Sequence, residues 1–103
     1  MTGPINLADW RERVAFSGEG PRPAVLAQDE KVKVVIAGLE AGQSIPPHPE
    51  TEGVFHCLEG TGWMVADGER LPFNAGAIVV VPDGASRGIE AVTRLAFLAV
   101  RLA

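Results

Sequence analysis

Turn-forming residues interrupt this chain too often for anything but short strands. Asp67-Gly68 lies between two strand-like runs and is the sharpest two-residue hairpin signal in the sequence. Ala41-Gly42, Asn74-Ala75-Gly76 and Pro82-Asp83-Gly84 add further turns. Between them lie runs rich in β-branched and apolar residues: Ala24–Gln28, Glu30–Glu40, Gly53–Glu59, Thr61–Ala66, Glu69–Phe73, Arg87–Ala91 and Thr93–Leu102. Ile45-Pro46-Pro47 is held extended, because proline fixes its own φ and restricts the residue before it. Ala77–Val81 is wholly apolar and is expected to be a strand buried on both faces. About eight to ten short strands at this spacing predict an all-β domain, a small sandwich or barrel.

At 103 residues the chain suits one domain. Residues 1–23 read as an N-terminal arm, with at most one short helix over Leu7–Val14 capped by Asn6. The turn Ser17–Pro23 closes the arm, and residues 24–103 form the barrel. With 47% apolar residues the chain is not disordered. Apolar runs such as Ala77–Val81 are far too short to span a membrane, and the N-terminus lacks a signal-peptide pattern. A net charge of −4 without a Lys/Arg run argues against nucleic acid as a partner. The single cysteine, Cys57, excludes an internal disulfide and predicts a cytoplasmic protein. Val32–Leu39 and Ala96–Leu102 carry more apolar surface than one small barrel buries, which predicts a homodimer.

Two stretches resemble the paired motifs of the cupins, in particular the small single-domain, type-2 conserved-barrel kind. The second cupin motif, G-x5-P-x-G-x2-H-x3-N, fits in frame on Gly76, Pro82 and Gly84, with Arg87 at the histidine and Ala91 at the asparagine. The first, G-x5-H-x-H-x3–4-E-x6-G, starts at Gly42, meets its first histidine at His48 and ends at Gly60, but is two residues short. With the gap directly after His48, the second histidine is missing and the glutamate falls on Gly53. A rival register sets Pro46 and His48 at the two histidines; another moves the glutamate to Glu52. The resemblance covers Val32 to Leu102 and implies a cupin-type double-stranded β-helix, or jelly-roll barrel.

In cupins two histidines, the glutamate and the third histidine hold one metal ion. The favoured register keeps only His48. Arg87 is a permanent cation and no ligand, and one imidazole cannot supply the three or four donors a transition metal needs. The expectation is therefore a cupin without the standard metal centre, and with no cofactor.

Arg87, at an inward position, requires an anionic partner: Glu50 or Glu52 from the shortened loop, or a carboxylate or phosphate on a ligand. His48 is a candidate hydrogen-bonding or acid/base group. With Glu52, Phe55, Cys57 and Trp63 these two are the expected contacts of a small, anionic molecule. Phe55 and Cys57 share the inward parity of Gly53, which turns His56 away. Two alternatives stay open: a metal-independent, isomerase-type enzyme using His48 and Arg87, and a dioxygenase-like metal enzyme on a rearranged His48/Glu52/His56 site.

Overall fold

The structure, a computed structural model, describes residues 3–103. Nine strands follow one another: β1 (Arg22–Gln28), β2 (Val32–Leu39), β3 (Ser44–Pro49), β4 (Gly53–Glu59), β5 (Gly62–Ala66), β6 (Glu69–Pro72), β7 (Ile78–Val81), β8 (Ser86–Ala91) and β9 (Leu95–Leu102). They form two antiparallel sheets, ordered β1-β2-β9-β4-β7 and β3-β8-β5-β6. Non-sequential neighbours in both sheets give the jelly-roll winding, as the sequence predicts. Between the sheets lies a core that includes Leu39, Cys57, Met64, Phe73, Val81 and Leu95. Strand alternation supplies it: in β9, Leu95, Phe97 and Ala99 point inward while Leu98 and Val100 face out.

Two elements differ from expectation. The helix over Leu7–Val14 is a single 3-10 turn, Trp10–Glu12, and its cap is Asp9, whose carboxylate accepts from the Arg11 amide at 3.0 Å. None of its residues is buried, and a helix this short has no stability without a packed face. The apolar run at 77–81 is not buried on both faces. β7 pairs only with β4, at the sheet edge. Ile78 and Val80 are 65% and 61% exposed, whereas Val81 points into the core. An apolar run thus records here an edge strand with one uncovered face.

The arm packs onto the outer face of β2, where the Ala15 carbonyl and Phe16 ring press against Gly38. Gln43 donates to the Ser17 carbonyl at 2.6 Å, and Arg94 stacks on Phe16 at 3.9 Å. Every proline within a strand lies on an edge strand: Pro23 in β1, Pro46, Pro47 and Pro49 in β3, Pro72 in β6. Lacking an N–H, proline fits only there. In β3 the consecutive prolines break the pairing with β8 between Ile45 and His48. Gly88 makes this possible, since a Cβ there would stand 2.5 Å from the Ile45 carbonyl oxygen and 2.7 Å from the Pro47 nitrogen.

A methyl group at Gly88 must push β3 off β8. Gly88→Ala is expected to cost about 2 kcal/mol and lower the melting temperature by roughly 10 °C. Differential scanning calorimetry checks this, and an unchanged transition would contradict the close β3–β8 approach.

Candidate functional site

The strand ladders set the chemistry of the barrel interior in layers. At one end, Gly53 of β4 pairs with Arg101 of β9, and His48 of β3 with Arg87 of β8. One inward step deeper, Phe55 pairs with Ala99, Ala99 with Val35, and Ile45 with Ile89. Phe97 lies deeper still, its ring centroid 6.2 Å from that of Phe55. Apart from Gly53, these residues, with Pro23, Glu50 and Gly88, line a cavity of about 160 Å3. Sites for drug-sized ligands run to roughly 300–1,000 Å3, so this one suits a small molecule. Its mouth is charged and its floor apolar.

Among the described residues, Arg87 is the one charged residue in the core, only 3% exposed. Its guanidinium finds no carboxylate. Instead Nε donates to the Ala85 carbonyl at 3.3 Å, and Nη2 donates to the carbonyls of Glu50, Pro82 and Ala85, each at 3.1 Å. Nη1 donates a short bond to the Thr51 carbonyl. Arg87 therefore clamps the β3–β4 loop to the turn before β8. The carbonyl dipoles satisfy its hydrogens but carry no net charge. Phe55 adds a weak cation–π contact at 5.9 Å. The expected internal ion pair with Glu50 or Glu52 does not form: Glu50 serves Arg87 through its backbone only, and the Glu52 side chain is exposed.

The Glu50 carboxylate turns instead to Arg101 and His48. Arg101 Nη1 donates to Oε1, and His48 Nε2 lies 3.3 Å from Oε2. The other imidazole nitrogen, Nδ1, is 3.1 Å from the Pro46 carbonyl. Both ring nitrogens thus face acceptors. Arg101 was not legible as a site residue within an apolar strand. The available signal was parity: it is the only charge among the inward positions Leu95, Phe97, Ala99 and Arg101.

Of the six expected contacts, His48, Phe55 and Arg87 line the cavity, and Glu52, Cys57 and Trp63 do not. Glu52 is exposed to solvent. Cys57 has the inward parity expected, but sits one step below Phe55 in the packed core, fully buried, its thiol donating to the Glu59 carbonyl at 3.4 Å. Burial pushes that thiol up to about 11. Trp63 faces outward from β5, covered by the Arg70 guanidinium at 4.5 Å, which also pairs with Glu90 at 2.8 Å. Its position after Gly62 gave no parity information, and the β5–β8 pairing decides it.

The residues do not fit the metal ion of the resembling family. A Cβ on Gly53 would lie 3.2 Å from Arg87 Nη1, so the guanidinium fills the space a glutamate side chain would enter. Among the described residues no three His, Cys, Asp or Glu side chains gather in a metal-holding cluster. His56 faces away from His48 across β4 and does not join the His48/Glu52/His56 trio.

A nine-stranded jelly roll with a small cavity open at one end defines the cupin class. No family model matches the chain, and no curated protein matches it. Solved structures do. An RmlC-like cupin protein from Desulfovibrio desulfuricans is 30% identical with a TM-score of 0.84, over 99% of this chain and 97% of that one. A conserved protein of unknown function from Streptococcus pyogenes superposes with a TM-score of 0.86 at 21% identity, over 97% and 89% of the two chains. A predicted oxalate decarboxylase from Thermotoga maritima matches at 25% identity and a TM-score of 0.74, over 80% and 79%. The chain belongs to the RmlC-like cupins.

Two outcomes follow. Arg87→Met is expected to lose about 2 kcal/mol or more, because buried carbonyls lose their donor. Arg87→Lys should not restore it, since one ammonium cannot span four carbonyls. Urea titration of both variants checks this, and a wild-type midpoint for either would contradict the clamp. For Cys57, the raised native value means that the unfolded thiol, with its ordinary value near 9, ionises first. Its contribution to stability is complete below pH 9 and is lost as pH rises through about 11. Alkylation at pH 8 should therefore be slow in native protein and fast in guanidinium; equal rates would contradict this burial.

Proposed function

We propose that this cupin binds a small anionic molecule inside the barrel, without the family's standard metal centre. The observation that carries the reading is Arg87: a buried cation on the cavity wall whose protein partners are all uncharged carbonyls. Arg101 and Glu50 cancel at the mouth, so Arg87 leaves the site with one positive charge in excess. A buried charge without a counter-charge favours an anion over a neutral molecule in the cavity beside it. The neighbour described as a predicted oxalate decarboxylase is named for a small carboxylate, which agrees with this ligand class. Binding is favoured over isomerase-type catalysis, because both His48 nitrogens are already engaged by Pro46 and Glu50.

The test is thermal shift and calorimetry with small acids against their uncharged amides. Carboxylates should stabilise the protein, by about 2.7 kcal/mol at a hundredfold excess over Kd. Equal stabilisation by the amides would sink the reading.

The outer face of the five-stranded sheet supports a two-fold homodimer. Register sets Val34, Val100, Val54 and Val80 in one row and Ile36, Leu98, His56 and Ile78 in the next. The arm covers this face near β2, while Val54, Ile78 and Val80 stay exposed. A second copy is the occupant we assign, because a row of valines is complementary to itself under two-fold symmetry. Sedimentation at micromolar concentration should show a dimer, and Val80→Glu a folded monomer. A wild-type monomer would refute the interface. A single buried, unpaired cysteine agrees with a reducing, cytoplasmic setting, which is part of this proposal.

A further inference from the structure

The proposed function leaves open where the anion sits and what it is attached to. The geometry points to a monocarboxylic acid with a compact apolar body, its carboxylate seated between Arg101 and His48 in the place Glu50 now holds. This rests on the anion-binding reading.

Glu50 behaves as a tethered ligand. One of its oxygens accepts from Arg101, and the other faces His48 Nε2, so the carboxylate bridges two groups of the cavity mouth. Its backbone is fixed independently of that bridge. The Glu50 carbonyl accepts from Gly84 at 2.8 Å and from Arg87 at 3.1 Å. The next residues are held as well: the Leu102 amide donates to the Glu52 carbonyl at 2.9 Å, and the Thr51 hydroxyl bonds the Leu102 carbonyl. Side-chain rotation alone can therefore vacate the seat, with no movement of the loop.

Charge and depth select the occupant. Arg87, Arg101 and Glu50 sum to one excess positive charge. With Glu50 swung into solvent the mouth holds two cations, and a monoanion restores the balance it had with Glu50 in place. The planar carboxylate fits the guanidinium as Glu50 does. Beneath the seat the strand ladders place only apolar side chains: Val35, Ile45, Phe55, Ile89, Phe97 and Ala99. An anion with no apolar body, such as inorganic phosphate, gains nothing from that floor. The ligand must therefore be an amphiphilic acid of small size.

The arrangement makes a distinctive prediction, since removing an acidic residue beside an arginine should tighten binding. Calorimetry with benzoate, butyrate, benzamide and inorganic phosphate tests it on wild type, Glu50→Gln, Glu50→Ala and Glu52→Gln. Glu52 is the control, an adjacent loop carboxylate outside the cavity. Both Glu50 variants should bind benzoate and butyrate about tenfold more tightly than wild type, the size of one partly buried ion-pair competitor. Glu52→Gln should stay within about twofold, as expected for a screened surface charge. Arg101→Met should lose benzoate binding, and benzamide and phosphate should bind none of the proteins. If benzoate binds wild type but Glu50→Gln and Glu50→Ala leave its affinity unchanged or weaken it, the seat assignment is wrong while anion binding stands. An equal gain in Glu52→Gln also overturns the seat, by reducing the effect to net charge. If benzamide binds as tightly as benzoate, the anion-binding reading itself fails.

Discussion

One guanidinium organises the open end of this barrel. Arg87 draws together the carbonyls of Glu50, Thr51, Pro82 and Ala85, which belong to two separate connections. Those connections are the loop before β4 and the turn before β8, the segments that carry the two motifs. The clamp fixes Glu50, and through Glu50 the mouth residues Arg101 and His48. It also explains Gly53: the space beside that glycine is where the guanidinium lies. The group that fills this space is itself a cation, and it is covalently part of the chain.

A guanidinium and a metal ion differ in what they can do at such a position. A metal ion offers open coordination positions to a substrate, whereas a guanidinium offers only N–H donors in a plane. Arg87 spends most of these on the backbone, which leaves its charge rather than its hydrogens to act on the cavity. Under the anion-binding proposal, such attraction would select a ligand by sign, Arg101 and His48 would supply direction, and the apolar layers below would add affinity in proportion to buried area.

Much of the fold was legible because its determinants are local. Gly53–Glu59 is a strand with the bounds its sequence sets, and Asp67-Gly68 turns β5 into β6, with positive φ at both residues. The frame of Gly76, Pro82 and Gly84 places Arg87 inward. Parity within one strand is equally local, and it separated Phe55 from His56. Less was legible wherever the answer depended on a second strand or on depth. Trp63 takes its direction from pairing partners distant in sequence, whereas Arg101 had a parity signal that its apolar strand masked. Cys57 has the right parity, but lies one step too deep to meet a ligand. The choice between Glu50 and Glu52 was hidden because both lie in an irregular loop. The exposure of β7 depends on its place at the sheet edge, which no apolar run can announce.

The strand prolines lie in β1, β3 and β6, three of the four outermost strands of the two sheets. Each interrupts the row of donors that a foreign strand would need to add itself to the sheet. Only β7 presents a proline-free border, four residues long and ended by Pro82. The molecule therefore carries its own protection against runaway strand-to-strand polymerisation. That protection comes from backbone chemistry, so side chains on the flat faces remain free to vary with the needs of recognition.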